Sequence, residues 1–330
     1  MVVKRLADLG ERAAIQRIAE ILTKGTNSRG IGDDCAAIDL GKEYLLVTTD
    51  MMFQRTHIPM QMTPYQMGWF LVAMNLSDIA AKGGTPLGLV CSFGLPKKTT
   101  EMFLKELTKG ADACAVAFGT TIVGGDTKET QEITLCGTAF GMVKKDEFMS
   151  RTGAHPGDVV AVTGTLGKAG AGYYALNRRS SEKKLSKAFL EPVPKLKEGR
   201  LLAQQRLVTS SMDLSDGLSA SLYQLQEFNN VGFEIKKSAL PFASELCELL
   251  DKNHGFNPYS LALHFGGDYE LLVTMSAEAI EKAQETLRKH GVDLTAIGIV
   301  TKKKDIVLVD NRNKRILENK GYEHFKKHNF

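Results

Sequence analysis

The sequence has few cysteines, and they form no recognisable pattern. An odd number of widely spaced cysteines, without a C-x-x-C pair, argues against both a disulfide framework and a structural zinc site. Free cysteines are typical of a reducing compartment, so we expect a cytoplasmic protein. The five cysteines are Cys35, Cys91, Cys114, Cys136 and Cys247.

Long hydrophobic runs are also missing. No stretch reaches the ~18 uninterrupted apolar residues that a membrane span needs. Charged residues interrupt the N-terminus from Lys4 to Arg12, which argues against a signal peptide. The net charge of +4 is small for 330 residues and gives no reason to expect nucleic acid, although it suits a protein that handles phosphates. We therefore expect neither a membrane nor a nucleic-acid partner.

The composition is that of a globular protein. With 43% hydrophobic and 24% charged residues, the chain is long enough for two domains. The segment Lys144–Gly157 is charged and holds two glycines and a proline, so we place the boundary near residue 148, between domains 1–147 and 148–330. Strands and helices alternate in the first half, which indicates an α/β (α+β) fold.

Local patterns predict most elements. Thr63 and Pro64 open a helix that runs to Lys82 and is apolar nearly all round, so it should be buried. Other helices are predicted over 5–22, 100–118 and 277–290, after the glycine-rich run 164–172, and from 215–217 onward. Strands are predicted over 34–40, 44–50, 87–95, 121–123, 133–143, 158–163, 208–214, 232–235 and 271–275, with 297–301 and 306–310 paired as a hairpin. Gly25–Gly32 is predicted to be a loop.

Seven aspartates stand at the ends of predicted elements or inside the buried helix. Each one alone is typical of an N-cap or a turn. If they meet, like charges a few ångströms apart repel by roughly 1 to 4 kcal/mol per pair, so the cluster needs cations. Oxygen ligands without a His or Cys set favour Mg²⁺, which in turn predicts phosphoryl transfer. The seven are Asp33, Asp34, Asp50, Asp78, Asp126, Asp213 and Asp216.

The first pair of acids, Asp33 and Asp34, follows the glycine-rich loop in the run G-I-G-D-D-C-A-A-I. Asp34, at the start of the predicted strand, is the expected metal ligand, and Asp33 is expected either to orient the loop or to bind an ion through water. The loop itself is interpreted as a gate that closes over phosphates.

Phosphate-binding motifs are mostly absent. The run G-T-L-G-K-A-G-A-G at 164–172 has Ala169 where a Walker motif needs a hydroxyl, and its glycine spacing does not fit a dinucleotide fingerprint. Two readings stay open: a tightly packed turn between strand and helix, or a backbone cradle for phosphate at the helix N-terminus.

Three further residues have two interpretations each. Cys35 is a nucleophile candidate, but the neighbouring carboxylates disfavour its thiolate and favour a packed cysteine. His57 contacts either the substrate or its own loop. Arg151 reaches either a phosphate or a partner in a surface salt bridge.

The motifs in combination resemble the thiamine-monophosphate kinase family, in the aminoimidazole-ribonucleotide-synthetase-like superfamily of ATP-dependent enzymes. They occur in the family's order and cover nearly the whole chain. The motifs are G-I-G-D-D-C-A (30–36), V-T-T-D (47–50), N-L-S-D-I-A-A-K-G (75–83), G-G-D-T (124–127), R-T-G-A-x-P-G-D (151–158), V-T-G-T-L-G (162–167) and M-D-L-S-D-G-L (212–218).

The resemblance implies a fold, a reaction and partners. The fold is the two-domain one of that superfamily, with an N-terminal mixed sheet that forms a barrel in a homodimer and a C-terminal α/β domain. The N-terminal domain binds ATP and Mg²⁺, and the C-terminal domain completes the site. The reaction is direct in-line transfer of the ATP γ-phosphate to thiamine monophosphate, which gives thiamine diphosphate with the help of several Mg²⁺ ions.

The resemblance also assigns residues. The metal-binding positions are Asp34, Thr48, Thr49, Asp50, Asp78, Asp126, Asp213 and Asp216. The ATP-binding positions are Gly125, Asp126, Arg151 and Ser215, and the substrate-binding positions are His57, Asp268 and Tyr322. No side chain is assigned as a covalent catalyst, because positioning and metal ions carry the chemistry.

The chain departs from the family pattern at one place. The family commonly reads G-G-E-D-Y-E-L, and Gly267 stands here where the first glutamate belongs. Either Asp268 or Glu270 takes over its role, or the substrate contacts differ. The alternatives for the whole protein are a related enzyme with another phosphate acceptor and a non-catalytic nucleotide sensor. Selenophosphate synthetase and the hydrogenase-maturation relative are disfavoured because no cysteine stands near either end of the chain.

Overall fold

The computed structural model describes residues 5–23, 28–177, 183–243, 246–247 and 257–325. Within them, the chain forms two mixed sheets covered by helices, so the expected α/β (α+β) architecture is confirmed. No helix among the described residues is long and apolar enough to cross a membrane. The start of the predicted loop, Gly25–Asn27, lies outside the described residues.

The first sheet lies between residues 28 and 144. Its strands are β1 (Ser28–Arg29), β2 (Ala36–Asp39), β3 (Glu43–Phe53), β4 (Thr85–Leu95), β5 (Ile122–Glu129) and β6 (Thr134–Lys144). The strand order is β1-β2-β3-β6-β4-β5, with β4 and β5 parallel and the other neighbours antiparallel. The helices of this half are α1 (Leu6–Leu9), α2 (Glu11–Ile21), α3 (Gln54–His57), α4 (Pro64–Ala81) and α5 (Glu101–Ala117).

Helix α4 is the buried element that the sequence predicts. Thr63 and Gln66 cap its start reciprocally: the Gln66 N–H donates to Thr63 Oγ1, and the Thr63 N–H donates to Gln66 Oε1. The helix packs on β3 and β6 and also contacts the second half of the chain. It crosses α5 so closely that a Cβ on Gly68 would lie 2.0 Å from the Leu107 carbonyl oxygen, and one on Gly110 would lie 1.8 Å from that of Tyr65. Glycine is therefore required at this crossing.

The second sheet lies between residues 159 and 316. Its strands are β7 (Val159–Thr163), β8 (Val208–Asp213), β9 (Gly232–Lys236), β10 (Leu271–Met275), β11 (Leu294–Thr301), β12 (Ile306–Asp310) and β13 (Asn313–Ile316). The order is β13-β12-β9-β11-β7-β10-β8, and only the β9–β12 pair is parallel. The helices are α6 (Lys168–Asn177), α7 (Lys183–Leu190), α8 (Leu196–Gln205), α9 (Leu218–Asn229), α10 (Pro258–His264) and α11 (Ile280–Lys289).

Three predicted elements differ from the structure. The hairpin of 297–301 with 306–310 is wrong, because β9 lies between β11 and β12 and pairs with both. The single opening helix is broken at Gly10, whose φ of +81° ends α1 and starts α2. The Gly-Gly-Asp-Thr run, expected to follow a short strand, continues inside β5.

Candidate active site

Three acidic residues, two of them buried and one half-buried, meet where the two halves of the chain join. Asp34 lies in the turn before β2, Asp78 in α4, and Asp213 at the end of β8. One carboxylate oxygen from each lies within 4.8 Å of the others. The expected convergence of distant aspartates is thus confirmed for these three residues.

Neighbouring hydroxyl groups orient two of these carboxylates. Thr48 Oγ1 donates to Asp78 Oδ2 at 2.5 Å, and Ser77 Oγ donates to Asp213 Oδ2 at 2.7 Å. Ser215 Oγ donates to Asp213 Oδ1 over 3.3 Å. Thr48 and Ser215 therefore lie at the cluster, as their predicted roles in metal and ATP binding require.

Asp34 has a different environment, because two cations face it. The Arg151 guanidinium donates to Asp34 Oδ1, with a distance of 3.0 Å from Nε. Lys82 Nζ lies 2.7 Å from Asp34 Oδ2, but the ammonium donates to Asp33 Oδ1 and to the Ser211 carbonyl. Asp34 Oδ2 is buried and accepts no hydrogen bond.

Asp50 and Asp216 stand beside the three-carboxylate cluster. Burial and the charges of Asp216 and Asp34 raise the pKa of the Asp50 carboxyl, and burial raises that of Asp216. The same causes act in the cluster: burial and Asp50 raise the pKa of Asp78, and burial and Asp34 raise that of Asp213. Burial first, and then the neighbouring carboxylates, disfavour the ionised form of these acids, so a cation bound among them would favour it.

The site therefore fits a divalent metal ion. Its donor set consists of carboxylate and hydroxyl oxygens, which Mg²⁺ prefers over the nitrogen and sulfur ligands typical of zinc. Asp34 Oδ2 accepts no hydrogen bond but is faced by the Lys82 ammonium at 2.7 Å, so the metal site is inferred from the oxygen donors of Asp78, Asp213 and their neighbours.

Two predicted ligands lie away from the cluster. Thr49 follows Thr48 in β3 and so points to the opposite face of the sheet, where its hydroxyl donates to the Gly137 carbonyl at 2.9 Å. Asp126 lies on the edge strand β5, and its side chain is 59% exposed. Three strand spacings of ~4.8 Å separate β5 from β3, so Asp126 and Gly125 lie apart from the β3 residue Thr48 and outside the three-carboxylate cluster.

Asp33 orients the turn, as the sequence analysis expects. Its carboxylate accepts hydrogen bonds from the main-chain N–H groups of Asp34 and Arg151, from Ser150 Oγ and from Lys82. The Lys82 charge helps to lower the pKa of Asp33 against the effect of burial. Asp33 therefore stabilises the turn, and Asp34 is the acid of this pair that belongs to the three-carboxylate cluster.

Arg151 forms a buried ion pair rather than a surface one. Besides Asp34, it donates to the Gly32 carbonyl at 3.0 Å and to Gln224 Oε1 at 2.9 Å. Gln224 in turn donates to Asp216 Oδ2 at 3.1 Å. The guanidinium therefore links two acidic positions of the site.

Two of the predicted substrate residues, His57 and Tyr322, lie close together although they are far apart in the sequence. The rings of His57 and Tyr322 have centroids 6.2 Å apart, and His324 lies 5.2 Å from His57. The Tyr322 N–H donates to the Asp216 carbonyl, which joins this aromatic group to the acidic site. His57 also makes the loop contact considered as its alternative, because its Nδ1 accepts from the Phe53 N–H.

Asp268, the third predicted substrate residue, has another structural partner. Its carboxylate accepts from the N–H groups of Gly167 and Ala169, at 2.6 and 2.9 Å, and so caps helix α6. Because a side-chain carboxylate already caps the N-terminus of α6, the glycine-rich run is better interpreted as a tightly packed turn than as a phosphate cradle. The Glu270 carboxylate also has partners within the chain. It accepts a hydrogen bond from Thr163 Oγ1 and lies 3.1 Å from Lys195 Nζ.

Cys35 is a packed residue, as expected. It is 1% exposed, and burial together with the charge of Asp78 raises the pKa of its thiol. A thiol in this environment is inert.

Three residues at the site, Lys82, Gln224 and His324, were not predicted from the sequence to have a role there. For Lys82 a signal exists: it is the first charge after a long apolar helix, and a buried lysine needs anionic partners just as Asp78 needs a cation. Gln224 and His324 give no such signal, because their roles depend on contacts between segments far apart in the sequence.

The chain is similar to known proteins along most of its length. The AIR synthase related protein N-terminal domain matches residues 32–143, and the corresponding C-terminal domain matches residues 155–311. A thiamine-monophosphate kinase of Methanospirillum hungatei JF-1 is 34% identical over 93% of this chain and 98% of its own, and one of Buchnera aphidicola is 33% identical over 90% and 92%.

The fold also matches a solved structure from end to end. The structure described as "AaThiL complexed with AMPPCP and TMP" has a TM-score of 0.87 and 29% sequence identity, and the match covers 98% of this chain and 100% of that one. The resemblance drawn from the motifs is confirmed. The chain belongs to the thiamine-monophosphate kinase family of AIR synthase related proteins.

Proposed function

We propose that this protein transfers the γ-phosphoryl group of ATP to the phosphate of thiamine monophosphate and so forms thiamine diphosphate and ADP. The observation that carries the proposal is the meeting of Asp34, Asp78 and Asp213 within 4.8 Å. That cluster lies in a chain that matches thiamine-monophosphate kinases over more than nine-tenths of its length. We also propose a cytoplasmic location, which a reaction that consumes ATP would suit.

The cluster would hold Mg²⁺. Asp34, Asp78 and Asp213 would be its ligands, with Asp50, Asp216 and the hydroxyl of Thr48 beside them. Bound Mg²⁺ neutralises phosphate charge and aligns the attacking and leaving oxygens of an in-line transfer. In this proposal the chain itself contributes position and charge, and no side chain forms a covalent intermediate.

ATP binding would require an exchange at Arg151. Because its guanidinium is engaged by Asp34 and Gln224, it has to release a carboxylate before it can hold a phosphate. Asp34 could release Arg151 more readily if it held a cation, since that cation would replace the charge that Arg151 supplies. Ser215, next to Asp213, is the second proposed ATP contact at this end of the site.

Gly125 and Asp126, with the Thr49 side chain, would belong to a separate part of the site on the first sheet. The face that carries Thr49 exposes large apolar side chains, with Met51 58% and Phe53 37% accessible. An apolar sheet face of this kind is typical of an interface. We propose that it joins a second copy of the chain in a barrel, so that strand β5 with Asp126 is brought to a completed site in the homodimer.

Substrate binding would use the aromatic group at the chain's C-terminal end. His57 and Tyr322 offer ring faces to the thiamine, next to the main chain of Asp216. Asp268 would have to leave the N-terminus of α6 to contact the substrate. The proposal also divides the work between domains, with ATP, metal and dimer contacts in 1–147 and the completion of the site in 148–330.

One observation favours an alternative phosphate acceptor. Gly267 stands where the family has a glutamate, and both nearby acids, Asp268 and Glu270, are engaged within the chain. A site without a free carboxylate at this position is suited to an acceptor that differs from thiamine monophosphate. A sensor without turnover is the weaker alternative, because it has little need of a metal cluster.

The test is direct. Purified protein is incubated with Mg²⁺, ATP and thiamine monophosphate, and ADP and thiamine diphosphate are separated by chromatography. We expect both products in equal amounts, and none when EDTA is present. ADP formation only with another phosphorylated acceptor would support the alternative enzyme, whereas ATP binding without any turnover would support the sensor.

A further inference from the structure

Lys82 is a lysine without solvent exposure, at the C-terminal end of α4. Lysine is almost never fully buried unless it is paired. Three oxygens surround its ammonium group: Asp33 Oδ1 at 2.6 Å, Asp34 Oδ2 at 2.7 Å and the Ser211 carbonyl at 2.9 Å.

These partners belong to the segments that carry the three-carboxylate cluster. Asp34 is itself a member, and Ser211 precedes Asp213 by two residues in β8. Lys82 follows Asp78, the third acid of the cluster, by four residues and caps the same helix. The main chain of Lys82 is therefore fixed relative to Asp78. One ammonium group therefore holds together the turn, the helix and the strand whose acids must meet.

The turn depends on Lys82 more than the strand does. Strand β8 has two other ties to α4, because Ser211 Oγ donates to the Ala81 carbonyl and Ser77 Oγ donates to Asp213. Asp33 is bound to the second half of the chain by Ser150 and the Arg151 main chain. Among the contacts described above, the one that joins Asp33 to α4 is the hydrogen bond from Lys82.

We propose that Lys82 is a positioning residue of the metal site, which sets the spacing of Asp34 from Asp78 and Asp213 by pinning their three segments. This inference rests on the magnesium site proposed above. Lys82 does not ligate metal or touch substrate, and it acts through the carboxylates it holds.

A role in position and a role in charge have opposite consequences for metal binding. A fixed positive charge beside Asp34 Oδ2 repels a divalent cation, so if Lys82 only balanced charge, its removal would tighten metal binding. If Lys82 sets the spacing of the ligands, its removal weakens metal binding even though repulsion falls. The sign of the change separates the two roles.

The experiment measures Mn²⁺ binding to the full-length protein by electron paramagnetic resonance, without nucleotide or thiamine monophosphate. For Lys82→Met we expect affinity to fall roughly 10- to 100-fold, the usual loss when a residue that orients metal ligands is removed. In the kinase assay, the Mg²⁺ concentration for half-maximal rate should rise by a similar factor, while kcat at saturating Mg²⁺ stays close to that of wild type.

The matched control is Lys145→Met. Lys145 also pairs with an aspartate of the first sheet, Asp39 at 2.5 Å, but at the protein surface. Its loss should leave Mn²⁺ binding unchanged. If Lys82→Met does not fold, the double variant Lys82→Met with Asp33→Asn removes the uncompensated charge, and its Mn²⁺ affinity should be lower than that of Asp33→Asn alone.

The remaining outcomes separate the role of Lys82 from the metal site and from the proposed function. Unchanged or tighter Mn²⁺ binding in Lys82→Met, or a double variant that binds Mn²⁺ as tightly as Asp33→Asn alone, would overturn the positioning role. Wild-type protein that binds no Mn²⁺ would overturn the metal site and the role of Lys82 with it. Mn²⁺ binding that depends on Lys82 in a protein inactive toward thiamine monophosphate would instead refute the proposed acceptor and support Lys82.

Discussion

The Arg151 guanidinium donates to Asp34 Oδ1 over 3.0 Å, so a proposed nucleotide contact is held by a proposed metal ligand. This pair satisfies one oxygen of a buried carboxylate. If a metal binds Asp34 and ATP binds Arg151 as proposed, the two side chains would have to exchange partners, and the pair would couple the two binding events.

Arg151→Lys should raise KM for ATP. Lysine keeps the charge but cannot bind Asp34 and Gln224 together, or a phosphate in a bidentate manner. Because a hydrogen bond to a charged group contributes about 1.5 to 3 kcal/mol, the loss of one corresponds to roughly a tenfold rise or more. Steady-state kinetics measure the effect, with Arg206→Lys, in an exposed pair with Asp146, as the control. An unchanged KM for ATP would exclude Arg151 from the nucleotide site.

Asp78→Asn should have opposite effects on activity and stability. Turnover should fall at least 100-fold, because a ligand in the proposed metal site is lost. Metal-free protein should become more stable by about 1 kcal/mol or more, since removing one charge relieves repulsion from Asp50 and Asp213. Thermal unfolding in EDTA and the kinase assay measure the two effects. Asp39→Asn is the control, and a variant with wild-type kcat would refute the metal assignment.

His57→Ala should raise KM for thiamine monophosphate and leave KM for ATP unchanged. Aromatic pairs contribute about 0.5 to 1.5 kcal/mol, so we expect a rise of up to roughly tenfold, and a smaller one for His57→Phe, which keeps a ring. Burial and His324 lower the pKa of His57 to about 4, so its ring is neutral at pH 6 to 8. The effect should therefore not change with pH over that range. A rise in KM for ATP alone would place His57 elsewhere.

Glu270 should make the protein less stable as pH rises. Burial raises its pKa from the ordinary 4.5 to about 7, with Lys195 and Thr163 opposing the shift. The folded state therefore binds a proton more tightly than the unfolded state, and this stabilisation is present below pH 4.5 and lost as pH rises through 7. At ~1.4 kcal/mol per pKa unit the loss is about 3 kcal/mol.

Glu270→Gln provides the measurement. The variant cannot ionise at this position, so urea unfolding at several pH values should show the wild type losing about 3 kcal/mol relative to the variant as pH rises, at ~1.4 kcal/mol per pKa unit. Parallel curves for the two proteins would show that folding does not raise the pKa of Glu270.

Elements with local signals were predictable. Helix α4 begins at Pro64 as expected, because its threonine cap and proline act within one turn. The β11–β12 hairpin was wrong because the insertion of β9 between them depends on pairing with a distant segment. The same limit applies to the site. The sequence analysis found Asp34, Asp78 and Asp213, but it could not show that Asp126 lies at a sheet edge or that Asp268 caps α6.

The glycine contact between α4 and α5 has a consequence for how the site accommodates its ligands. A side chain at Gly68 or Gly110 would overlap the main chain of the facing helix, so the two glycines let α4 and α5 pack in direct contact. Asp78 lies on this closely packed helix, whereas Asp34 lies in a turn that is held by side chains. We therefore expect any adjustment of the spacing between these acids on ligand binding to occur mainly on the Asp34 side.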